Sequence, residues 1–158
     1  MNPITSFQSP ALRGVRGWLL ALCAVMTVVG PVISAWLMAG EYAAAAPDFA
    51  GSRRVLVGFF STLVLTSAAV AYGMHAGLLL WRVRPGAVAA AKNALLFGLA
   101  VDVVSAAMRT AMAPVAVAES GWALRGDLLS TLLPGLVFFT VCFAYLNRSA
   151  RVQATYNA

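Results

Sequence analysis

The chain has 158 residues, 61% of them hydrophobic and 10% charged, with a formal net charge of +6 and a mean hydropathy of +0.85. A soluble domain carries about 25% charged and about 45–50% apolar residues, and a disordered chain needs low hydrophobicity with high charge, so both classes are excluded. Cys23 and Cys142 are the only cysteines, too few for a disulfide scaffold, and what remains is an integral membrane protein.

Residues 1–11, with Pro3, Ser6, Ser9 and Pro10, are expected to form a mobile tail. The first apolar segment follows over 17–38 and is long enough to cross a hydrocarbon core about 30 Å thick. A cleaved signal sequence is the competing assignment for it, with Arg13 and Arg16 ahead and Ala43, Ala44 and Ala45 behind, but signal cores run only about 7–15 residues. Residues 41–54, broken by Pro47 and Gly51, read as an outer loop.

The second and third segments, 55–81 and 87–112, are joined by the short turn 82–86 containing Pro85 and Gly86, which makes them antiparallel neighbours. Residues 113–127, with Pro114, Gly121 and Gly126, read as the second outer loop, and the fourth segment covers 128–146. Runs such as 63–71 and 132–141 are apolar at successive positions, unlike the alternation of a membrane barrel. The expected fold is therefore an all-α integral membrane protein: one domain over 1–158, a four-transmembrane-helix antiparallel bundle, with a second mobile tail at 153–158.

Arginines orient the bundle. Arg13, Arg16, Arg82, Arg84, Lys92, Arg148 and Arg151 fall on one side without an acid, whereas Arg53, Arg54, Arg109 and Arg125 on the other are balanced by Glu41, Asp48, Glu119 and Asp127. The positive-inside rule then places both termini in the cytoplasm. The net positive charge reflects this orientation and attraction to anionic lipid, and no basic stripe interleaved with aromatics points to nucleic acid. Trp18, Trp36, Trp81 and Trp122 fall at the proposed interfaces.

Three stretches carry a family resemblance: Arg16 to Leu20 opening the first span, the turn from Leu80 through Trp81 and Arg82 to Pro85 and Gly86, and the tail Tyr145, Arg148, Ser149, Arg151, Val152, Thr155 and Tyr156. The tail resembles the Tyr-Phe-x-x-Ser-x-Arg-Val-x-x-Thr-Phe ending of a bacterial four-helix inner-membrane family called domain of unknown function 2569. Cys142 and Ala144 stand where that family often has Trp and Pro, and Tyr156 where it usually has Phe. The resemblance implies four helices and an inner-membrane location, and no activity. Read from its residues, the tail is an interfacial anchor, with Arg148 and Arg151 suited to a helix C-terminus and anionic phosphates, or a docking sequence for a cytoplasmic partner.

Asp102 is the residue that most needs explaining, since a charge at the centre of a span costs about 2.5–3.5 kcal/mol or more. Ala90, Ala94 and Gly98 precede it at four-residue spacing, a stripe that admits a close neighbour and turns Asp102 toward protein. At a matching depth lie Pro31 and Ser34, Thr66 and Ser67, and Ser130, Thr131 and Pro134, which together form a mid-membrane polar site or ordinary bundle packing. Arg109 is expected to reach back toward Asp102 or to snorkel outward. His75 lies well away from Asp102 in depth, and Asn93 is its expected hydrogen-bond partner. Gly73 and Gly77 form a packing seam, within one chain or between copies.

No nucleophile–base pair, paired carboxylates, phosphate loop or metal-ligand set stands out, so no cofactor, metal or catalytic residue is expected. Cys23 and Cys142 are expected as buried small apolar groups. The leading expectation is a non-catalytic accessory or scaffold component of the bacterial inner membrane, whose partners are the lipid bilayer and another membrane protein or a second copy. The alternative is a small-solute or ion transporter working at Asp102.

Overall fold

The computed structural model describes residues 17–112, 121–149 and 152, and among them every regular element is helical. The first helix starts after Gly17, whose φ of 62° suits a residue without a side chain. It runs as α1 (Trp18–Ala24), a π-helical turn (Val25–Val29) and α2 (Gly30–Ala45), then tightens into a 3₁₀ turn over Ala46–Asp48. In the wide turn the Gly30 N–H reaches back to the Val25 carbonyl, and a Cβ on Gly30 would lie 2.9 Å from that oxygen. Glycine therefore permits the bulge, and Pro31, which has no N–H to donate, occupies the first turn of α2.

Ser52 caps α3 (Arg53–Trp81), its Oγ accepting the Val55 N–H at 3.4 Å. A compact turn with Val83 (φ 49°) and Gly86 (φ 80°) in left-handed conformations reverses the chain into α4 (Ala87–Met112). The last helix, α5 (Gly121–Arg148), carries Pro134 in its interior.

Two expected boundaries move. The first helix passes 38 and continues to Ala45, because the alanine-rich 43–46 stretch is strongly helix-forming and Glu41 finds a cation across the bundle. The loop read over 41–54 therefore shrinks to a few residues around Gly51, closed by the Gly51 and Ser52 N–H groups donating to the Asp48 carbonyl at 3.2 and 2.9 Å. Likewise α5 begins at Gly121 instead of 128, since a helix does not have to stop where its apolar stretch does. Residues 113–120, with both expected tails and Arg13 and Arg16, lie outside the described residues.

Helix α3 packs most extensively on α4, α4 on α5, and the first helix on α3. Small residues make the α3–α4 seam, with Ala76, Ala87, Ala91 and Ala94 all buried. The core gathers at the hairpin end, where Leu19, Leu22, Cys23 and Met26 meet Ala76, Leu80, Ala91, Cys142 and Leu146. Cys23 and Cys142 are free thiols buried there. At the opposite end Tyr42, Phe49, Phe59 and Phe60 form a ring cluster with centroids 5.5–6.3 Å apart, tying the end of the first helix to the start of α3.

Outward faces are apolar: Trp36 is 80% and Val64 66% exposed. Trp18–Asp48, Arg53–Trp81 and Ala87–Ala111 are long and apolar enough to cross a membrane, and Leu132–Arg148 is a shorter apolar helical stretch. Helices of this length with apolar outer surfaces mark a membrane protein.

Candidate functional site

A cavity of about 220 Å³ lies midway along the helices and is walled by all of them. The first helix contributes Val25, Gly30, Pro31 and Ser34, α3 contributes Thr66, Ala69 and Gly73, α4 contributes Gly98 and Asp102, and α5 contributes Gly135, Phe138 and Phe139. The two irregularities of the fold meet here. The π turn and Pro31 open the first helix at this level, and Pro134, which cannot donate to the carbonyl four residues earlier, opens α5 beside Gly135.

Asp102 is half-buried in this wall. Its Oδ2 lies 2.9 Å from the position a Cβ on Gly135 would occupy, so the carboxylate rests against bare α5 backbone. Among the described residues no group donates a hydrogen bond to it. Arg109, seven residues on, is instead paired with Glu41 at the far end of the bundle, both side chains about one-third exposed. Of the two expectations for Arg109, the outward one matches the structure and the reach back to Asp102 is corrected: the first helix extends far enough to bring Glu41 alongside it, and a carboxylate at hand outcompetes one about 10 Å along the axis.

Ser34 and Thr66 line the cavity with Asp102 as the common depth implied. Ser67 does not: it is exposed and faces a groove between the first helix and α3, together with Pro31, Ser34 and Thr66. Ser130 and Thr131 belong to the α5 backbone, and their side chains lie outside the described residues.

His75 and Asn93 are both exposed, and no hydrogen bond joins them. The α3–α4 seam runs through Ala76 and Leu80 on one helix and Ala91 and Ala94 on the other, so His75 and Asn93 are each turned about 100° off it. The two glycines of the α3 seam divide. A Cβ on Gly77 would lie 2.6 Å from Thr27 Cγ2 and 3.1 Å from Met26 Cβ, so Gly77 packs against the chain's own π turn, whereas Gly73 has nothing within 4 Å and opens into the cavity.

The tail divides as well. Val152 is buried among the core residues and its N–H donates to Ser149 Oγ at 3.5 Å, and Tyr145 packs on the same core. Arg148 is exposed, and Arg151, Thr155 and Tyr156 lie outside the described residues. Sequence reasoning missed that Glu41 pairs with Arg109 and that the Asp102 carboxylate rests on Gly135. It also missed Lys92, whose Nζ donates to Asn147 Oδ1 at 2.6 Å and sits 5.9 Å from the centroid of the Phe143 ring, linking α4 to α5.

No protein-family model matches the chain, and no curated protein or solved structure matches it.

Proposed function

We propose that this chain is a four-span membrane protein that moves a small solute or ion through the cavity at Asp102. One observation carries the proposal: a carboxylate stands in a cavity walled by every helix, while the arginine on its own helix is held elsewhere by Glu41. A charge at the centre of a span is costly, by about 2.5–3.5 kcal/mol on the insertion scale, and a carboxylate kept there calls for a proton or a cation to balance it. Interrupted helices from the two ends of the chain flanking that carboxylate support the same use.

Both termini are proposed to lie on the cytoplasmic side of a bacterial inner membrane. Support comes from Lys92, Arg82, Arg84 and Arg148 toward the hairpin end, and from the sequence, which adds Arg13 and Arg16 ahead of the first helix and Arg151 after the last one. The resemblance of the two ends and the hairpin to the domain of unknown function 2569 family supports the same arrangement.

The test is purified protein in liposomes enclosing a pH-sensitive dye, challenged in turn with sodium, potassium and tetraphenylphosphonium. The expected result is a pH change driven by at least one of these in the wild type and lost in Asp102→Asn. Identical traces from wild type and Asp102→Asn with all three would overturn the proposal.

A second use, as an accessory subunit of another membrane protein, is favoured by the exposed Arg148 and the apolar outer faces of the helices. An Arg148→Ala variant that inserts normally but loses a co-purifying partner would support it.

A further inference from the structure

The Asp102 cavity adjoins two grooves: one between the first helix and α3, which shares Pro31, Ser34 and Thr66 with it, and one between the first helix and α5. The first helix packs on α3 and α5 packs on α4, and the gap between the first helix and α5 forms a groove of about 200 Å³ lined by Trp18, Ala21, Val25, Phe138, Val141 and Tyr145 among others. Val25 and Phe138 line both the groove and the cavity, so the two spaces adjoin.

The chemistry along this path is one-sided. Of the described residues lining groove and cavity, Asp102 alone carries a charge, and the other side-chain oxygens of the cavity belong to Ser34 and Thr66. A hard metal ion takes about six oxygen ligands and gives up its water reluctantly, which this set does not match. A weakly hydrated organic cation needs only one counter-charge and apolar or aromatic surface for its body, and Phe138 and Phe139 supply ring surface in the same wall as Asp102. An anion of the same shape meets the wrong charge.

We propose that the occupant is a lipophilic organic cation that reaches Asp102 sideways from the bilayer, through the groove between the first helix and α5. This rests on Asp102 being the working site and names the substrate class for it. The positive centre balances the carboxylate, and the apolar body fills the cavity and the adjoining groove without leaving a low-dielectric environment.

The experiment is equilibrium binding of radiolabelled tetraphenylphosphonium to the full-length protein in lipid nanodiscs. Tetraphenylborate serves as the anion of matching shape and tetramethylammonium as the cation without an apolar body. Expected is saturable binding of tetraphenylphosphonium that neither control displaces, weakened roughly tenfold or more in Asp102→Asn and kept in Asp102→Glu. Val141→Trp, placed on the exposed rim of the groove, should also weaken it. Binding that survives Asp102→Asn, or that tetraphenylborate displaces, would overturn the inference in favour of simple partition into the groove. Reactivity of Asp102 toward dicyclohexylcarbodiimide separates the two levels. If Asp102 is labelled but tetraphenylphosphonium neither binds saturably nor protects it, the lipophilic cation is wrong and the site stands. If Asp102 is also unlabelled, the working site itself is wrong.

Discussion

The Asp102 carboxylate and Gly135 are in contact across the bundle: Oδ2 stands 2.9 Å from where a Cβ on Gly135 would be. The α4–α5 approach at this level therefore depends on a missing methyl group, and the carboxylate takes its place.

Gly135→Ala separates this contact from ordinary helix stability. Alanine is favoured over glycine inside a helix by about 1 kcal/mol, but here its methyl group displaces the carboxylate. With Asp102 present the substitution is expected to be neutral or destabilising, and in an Asp102→Ala background to be stabilising by up to about 1 kcal/mol. The readout is thermal unfolding followed with a thiol-reactive dye, for which buried Cys23 and Cys142 are built-in reporters. Equal effects in the two backgrounds would show that the two residues do not interact.

Glu41 has a further role besides its ion pair. By pairing with Arg109 at the far end of the bundle it is expected to limit how closely that cation approaches Asp102. A pair with both side chains about one-third exposed contributes little to stability, about 1 kcal/mol or less. Glu41→Gln is accordingly expected to melt close to the wild type but to lower the reactivity of Asp102 toward carbodiimide, as Arg109 is released toward it. Adding Arg109→Ala should restore the reactivity. Unchanged labelling in Glu41→Gln would remove this positioning role.

The glycines of α3 are expected to differ sharply. Gly77→Ala drives a methyl group into Thr27, which is stiffened by β-branching and by its Oγ1 donating to the Cys23 carbonyl at 2.8 Å. A loss of about 1–3 kcal/mol is expected, recovered in part by Thr27→Ser, which removes the clashing Cγ2. Gly73→Ala, with nothing within 4 Å, should melt at or above the wild-type temperature. Equal destabilisation by both would contradict the packing of Gly77 on the π turn.

Much of this organisation was legible in the residues, and the failures have physical causes. Composition and span length established the all-helical class, and the Pro85–Gly86 turn established α3 and α4 as neighbours. Counting rise per residue brought Pro31, Ser34, Thr66 and Asp102 to one level. Depth says nothing of azimuth, however, and for that reason it places Ser67 in the Asp102 site and pairs His75 with Asn93, although all three are exposed. Hydropathy marks where apolar character ends, not where a helix ends, so it puts Glu41 in a loop and hides the partner of Arg109. Gly135 gave a signal in its sequence next to Pro134, but only the packing of α5 on α4 reveals that its bare backbone receives a carboxylate.

The most direct measurement of the central claim is carbodiimide labelling of the protein in lipid, mapped residue by residue with mass spectrometry and compared among Asp102, Glu41 and Asp48. Dicyclohexylcarbodiimide partitions into apolar surroundings and modifies carboxyl groups there. The expected result is modification concentrated at Asp102, with Glu41, held by Arg109, and exposed Asp48 nearly unmodified. Modification spread evenly over the three, or absent from Asp102, would contradict a reachable carboxylate in an apolar cavity and with it the proposed site.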